Sequence, residues 1–125
     1  TAYERAKFNQ LKAQLLNDQD DIEGAIEAAK ATLTEDGLPN IEYLDSKYNL
    51  AVMLSNAERY EESIEVANAW AADAPKMSSG VAVLQARNYY DIEQYDKALE
   101  WIDQAFATGD EPQRAWYQIR VNSLY

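Results

Sequence analysis

Residues 21–39, 58–75 and 93–112 read DIEGAIEAAKATLTEDGLP, ERYEESIEVANAWAADAP and EQYDKALEWIDQAFATGDEP, three versions of one phrase. Each sets a large side chain (Ile22, Tyr60, Tyr95) three places before a small one (Ala25, Ser63, Ala98). An apolar residue and an acid follow, and each phrase closes on a proline. Tyr60 and Tyr95 stand 35 residues apart. The first copy aligns to the third without a gap, so that Ala25, Ile26, Glu27 and Pro39 fall on Ala98, Leu99, Glu100 and Pro112. A period of this length leaves little freedom. It predicts a solenoid whose unit is a pair of helices, each pair burying its apolar face only against the next.

The punctuation agrees. Glycine is scarce and sits at joints: Gly37 precedes Leu38-Pro39, and Gly109 precedes Pro112. Glycine suits the left-handed residue just past a helix, and proline then blocks continuation. Pro75 closes ANAWAADA in the same way. No stretch alternates long enough to make a strand, and apolar residues recur at intervals of three and four. The spacing predicts seven helices over about 2–17, 21–35, 40–56, 60–73, 77–91, 95–107 and 112–124. In the first, Phe8, Leu11 and Leu15 form the expected apolar stripe. Short polar joins make neighbouring helices antiparallel. The expected architecture is a single all-α domain over 1–125, with repeats at about 2–38, 40–75 and 77–110 and a partial fourth at 112–125.

At Tyr95, Ala98 and Ala105, at Tyr60 and Pro75, and at Trp116, the sequence resembles the tetratricopeptide repeat. That family has an aromatic opening the second helix, an alanine three places on, a closing proline and a large residue early in the first helix. Two departures stand out: Ser63 replaces the alanine, and Ala51 and Ala86 replace the glycine of the close-packed first-helix position. The resemblance covers about residues 2–125 and implies a right-handed α-α superhelix of about three hairpins plus one C-terminal helix. It also implies a non-catalytic scaffold that binds a peptide or protein segment in the concave face. More narrowly, YNLAVML, ERYEESIE, QYDKALEWIDQA and EPQRAWYQIRVNSLY are similar to repeat proteins of Gram-negative bacteria, some of them associated with TonB–ExbB–ExbD systems. That likeness implies a bacterial, periplasmic or membrane-associated helper; the residues themselves do not fix a compartment.

Composition narrows the chemistry. With 22 acids against 11 bases the net charge is −11. Nucleic acids and anionic membranes need a basic footprint, so neither is expected as a partner. No cysteine or histidine is present. Thiolate and imidazole metal sites are therefore excluded, together with the commonest general base. No apolar run reaches the length of a membrane span. The acid-rich NDQDDIEGAIE invites a calcium loop, but Ile22 falls on a ligand place and Glu23 where glycine is needed. It reads instead as a turn and helix start. Glu61 with Glu62, and Glu100 with Asp103, lie on polar helix faces, and Trp70, Trp101 and Trp116 are spaced as packing residues. No catalytic, metal or cofactor site is expected.

The resemblance implies that the inner face is formed by the first helix of each pair. It selects Asn9 and Ala13; Tyr48, Asn49, Val52 and Asn56; Val83, Arg87, Tyr90 and Asp91; and Arg114, Tyr117, Gln118 and Val121. Amides suit a peptide backbone, tyrosines supply contact area, and arginine suits a carboxylate. Arg87, Arg114 and Arg120 give the last third a local basic character. The final helix is too apolar for a solvated cap. Trp116, Ile119, Leu124 and Tyr125 form an expected stacking face, covered by further repeats of a longer array or by a second copy. An architectural segment that stacks or dimerises there is the alternative to a peptide-binding role.

Overall fold

The computed structural model describes residues 1–34 and 39–124. Among them the chain forms seven α-helices and no strand. These are α1 (Ala2–Asp18), α2 (Ile22–Thr34), α3 (Asn40–Asn56), α4 (Tyr60–Asp73), α5 (Ser79–Asp91), α6 (Tyr95–Ala107) and α7 (Arg114–Leu124). The helices meet the expected number and order. Two begin later than expected. The Ser78 hydroxyl accepts from the Gly80 amide at 3.2 Å and so caps α5, and Pro112 lies ahead of α7. The expected joint at Gly37-Leu38 lies outside the described residues.

The chain divides into two compact units, Thr1–Arg59 and Tyr60–Tyr125. In the first, α2 packs against both α1 and α3. Its core is built from small residues: Ala6 and Ala13 of α1, and Ala25, Ala28 and Ala29 of α2, with Ile26, Leu44, Leu50, Ala51 and Leu54 filling the volume. A methyl-sized side chain on each facing helix lets the two backbones approach closely, and the dense packing that results supplies the stabilising contacts. The expected apolar stripe of α1 is on the other side. Phe8, Leu11 and Leu15 are 66%, 71% and 58% exposed. The helix is held by its alanines, which contribute little to a hydrophobic pattern.

Polar ties fix the register of α1 on α3. Gln10 Nε2 donates to Ser46 Oγ at 2.6 Å, and Lys7 pairs with Glu42. The hydrogen bond to Glu42 raises the Lys7 pKa above its ordinary 10.5. The contribution of the Lys7 charge is therefore fully present below pH 10.5 and is lost as pH rises through the elevated value. Arg59 reaches back to Glu23 at 3.0 Å. The acids of residues 18–21 serve the turn. Asp18 accepts from Gln14 at 3.1 Å, and the Asp21 carboxylate caps α2 by accepting from the Gly24 amide at 3.1 Å. A Cβ on Gly24 would come within 2.5 Å of that carboxylate, so glycine leaves room for the cap.

In the second unit, α5 contacts α4, α6 and α7. Ala82 and Ala86 of α5 meet Ile102 and Ala105 of α6 in one fully buried cluster. Ala98, expected to be small for helix contact, has no exposed surface. The departure at Ser63 has a partner: its hydroxyl accepts from Asn88 Nδ2 at 2.9 Å, both residues fully buried. Beside it Gln85 Nε2 donates to Asn68 Oδ1 at 2.9 Å and to the Ile64 carbonyl at 3.4 Å. The α4–α5 contact is thus a buried polar seam.

Three of the helix ends share a feature that has no glycine to announce it. Asp20, Glu58 and Glu93 adopt left-handed backbone angles, with φ of 62°, 62° and 65°. After each, an amide closes back on the helix: Asp21 to the Leu16 carbonyl at 2.9 Å, Arg59 to Leu54 at 2.9 Å, and Gln94 to Tyr89 at 2.8 Å. This is the Schellman arrangement built on acidic residues. An L-residue with a side chain pays a steric cost there that glycine does not. Glu93→Gly should raise stability by about 0.5–1 kcal/mol, read as a higher denaturant midpoint at unchanged slope. Ser63→Ala should do the opposite, costing about 1–3 kcal/mol because the buried Asn88 loses an acceptor.

Candidate functional site

The second unit carries a groove of about 520 Å³ between α5 and α7. From α5 it takes Val83, Arg87, Tyr90 and Asp91. These recur at intervals of three and four and so share one face of the helix. From α7 and the residue before it come Gln113, Ala115, Trp116, Gln118, Ile119 and Asn122.

The seating of α7 explains which face it offers. Trp116 is 4% exposed and packs into the cluster of Ala82, Ala86, Ile102 and Ala105. Alanines on α5 and α6 leave the space that the indole fills. Phe106 of α6 meets the rings of Trp116 and Tyr117 edge-on at 5.5 and 5.1 Å. The Arg120 guanidinium lies 4.1 Å from the centre of the Phe106 ring and donates to Asp103 at 2.5 Å. These contacts dock one side of α7 on α6. Ala115, Gln118 and Asn122, three and four residues apart, are left facing the groove.

Tyr90 is set by the repeat residue Tyr95, whose ring meets it edge-on at 5.3 Å with the planes at 66°. Tyr95 therefore does two things: it packs, and it steadies a tyrosine at the groove. Arg87 and Asp91 are exposed. Among the described residues neither side chain has a hydrogen bond or ion pair. Tyr90 offers aromatic area, three amides offer paired donors and acceptors, and Val83, Trp116 and Ile119 make the floor apolar.

Five of the expected inner-face residues, Val83, Arg87, Tyr90, Asp91 and Gln118, thus line one groove. Arg114 is exposed and lies outside it, and Tyr117 turns toward Phe106. Arg120 is committed to Asp103 and Phe106, so the three arginines do not gather at the groove. The residues expected to stack are not all on the surface. Trp116 belongs to the core, and Ile119 is half-buried against that core at the groove floor. Tyr117, Val121 and Leu124 are more than half exposed on α7, and Tyr125 lies outside the described residues.

In the first unit, Ala13 and Asn49 line a smaller pocket of about 150 Å³ with Gln10, Gln14, Ser46 and Met53 of α1 and α3. Tyr48 and Val52 are half-buried and Asn56 is exposed. Asn9 lies beside Arg5 and Phe8 in a separate shallow recess. Sequence reasoning passed over Gln10, Gln14 and Ser46, and over Gln113, Ala115 and Asn122. Asn122 could have been found: it stands four residues after Gln118, on the same helical face.

No family model and no curated protein matches this sequence. Its likeness is to solved structures. One, described as the TPR2B-domain:pHsp70-complex of yeast Sti1, superposes with a TM-score of 0.78 over 96% of both chains, at 18% identity. The fold of this chain is therefore that of an all-α tetratricopeptide-repeat domain. At that identity the likeness concerns the fold.

Trp116→Ala should cost about 3–5 kcal/mol, because it empties the pocket that docks α7. The loss would be read by chemical denaturation. A variant as stable as the parent would show that α7 is held by other contacts.

Proposed function

We propose that this chain is a non-catalytic scaffold that holds an extended peptide or protein segment in the α5–α7 groove. The observation that carries the reading is the groove itself: an apolar floor at Val83, Trp116 and Ile119, rimmed by Tyr90, by three amides and by two opposite charges with no internal partner. Such a surface offers backbone hydrogen bonding and buried contact area together, which is what an extended segment requires. The fold relative from Sti1 is described as a complex with pHsp70, so this architecture supports a protein partner.

The test is selection of peptides from a randomised display library against the full chain, followed by anisotropy titration of the winners. Tyr90→Ala and Arg87→Ala should each weaken those peptides by about tenfold, near 1.4 kcal/mol. Winners that bind both variants as well as the parent would place the site elsewhere.

A second reading, stacking through the last helix, is favoured by the exposure of Tyr117, Val121 and Leu124 at intervals of four and three along α7. It concerns these three residues and leaves Trp116 in the core. If α7 is a stacking face, light scattering should show mass rising with concentration, and Val121→Glu should abolish the rise. A mass that stays monomeric throughout would remove this reading.

A further inference from the structure

Resting on the peptide-groove reading, we propose that the α5–α7 groove selects an extended segment carrying an acidic and a basic residue two positions apart, the acid set on Arg87 and the base on Asp91. Arg87 and Asp91 both line the groove, one turn apart on α5. A residue and its fourth neighbour lie about 6 Å apart along a helix. In an extended chain, side chains at alternate residues share a face and stand about 6.6 Å apart. The two spacings agree, so alternate residues of a segment lying along α5 meet the two charges in register.

The two groups are available for this. Arginine preceding its acid by four residues is the less favourable order along the helix dipole, and an exposed pair of this kind is weak. Both side chains are exposed, and neither is held by another group among the described residues. A ligand therefore meets two opposite charges without first breaking an internal ion pair. The intervening residue of the segment faces the other way, toward the α7 side, where Gln118 and Asn122 carry amides above Ile119. The protein's net charge of −11 draws basic peptides to its surface at large. What the groove adds is the acid requirement at Arg87, and that requirement separates a dipolar ligand from a merely basic one.

The experiment titrates the full chain against three labelled heptapeptides in one neutral host, differing only at places three and five: Glu/Lys, Glu/Glu and Lys/Lys. The Glu/Lys peptide should bind at least about tenfold more tightly than either like-charged peptide. Asp91→Arg should move the preference to Glu/Glu, and Arg87→Asp should move it to Lys/Lys. Both positions are exposed, so unchanged melting curves will show that the variants remain folded. Equal binding of all three peptides, or no saturable binding by Glu/Lys, overturns the inference. Library winners that depend on Tyr90 yet carry no acid–base pair overturn it too, while leaving the peptide groove standing. A library that yields no groove binder overturns both.

Discussion

How closely two helices can approach decides the architecture. Ala82 and Ala86 of α5 cluster with Ile102 and Ala105 of α6, and none of the four keeps any exposed surface. In the first unit α1 and α2 pack together and each buries alanines, Ala6 and Ala13 on one and Ala25, Ala28 and Ala29 on the other. Close approach has a further effect on α7. Because α5 and α6 present methyl groups there, the Trp116 indole seats in the core alongside the contacts that Tyr117 and Arg120 make with Phe106, and the opposite edge of α7 becomes the wall of a groove. The candidate site is thus a by-product of core packing, built almost wholly from two helices.

That constraint also explains what could be read from the sequence. The repeat at Ile22, Tyr60 and Tyr95 placed the helices because each copy must satisfy the same geometry. The small residues Ala51, Ala86, Ala98 and Ala105 are buried where the repeat frame required them. The α1 stripe was misleading for the same reason. A search for large apolar side chains finds Phe8, Leu11 and Leu15, whereas a helix that packs closely does so through residues that barely register as hydrophobic. The acids at Asp20, Glu58 and Glu93 were invisible for another reason. Their left-handed backbone is imposed by the helices on either side, and the sequence carries no glycine to mark it.

At the candidate groove the α5 side was legible and the α7 side only in part. Val83, Arg87, Tyr90 and Asp91 follow from helical spacing once the frame is set. Which edge of α7 faces them depends on Phe106, which collects Trp116, Tyr117 and Arg120 on one side. That is a tertiary contact between residues ten or more apart, and no local pattern encodes it. Hence Trp116 read as an outward anchor, while Gln113 and Asn122 were missed.

The boundary between the two compact units falls between Arg59 and Tyr60, within the second repeat as written and not between repeats. The seam of Ser63 with Asn88 and of Asn68 with Gln85 shows why: α4 spends its buried polar groups on the first helix of the following repeat. Elsewhere the written pairs still pack together, α1 with α2 and α5 with α6. A cut placed at Pro75, the proline that ends the second written repeat, would therefore separate the two sides of a finished seam.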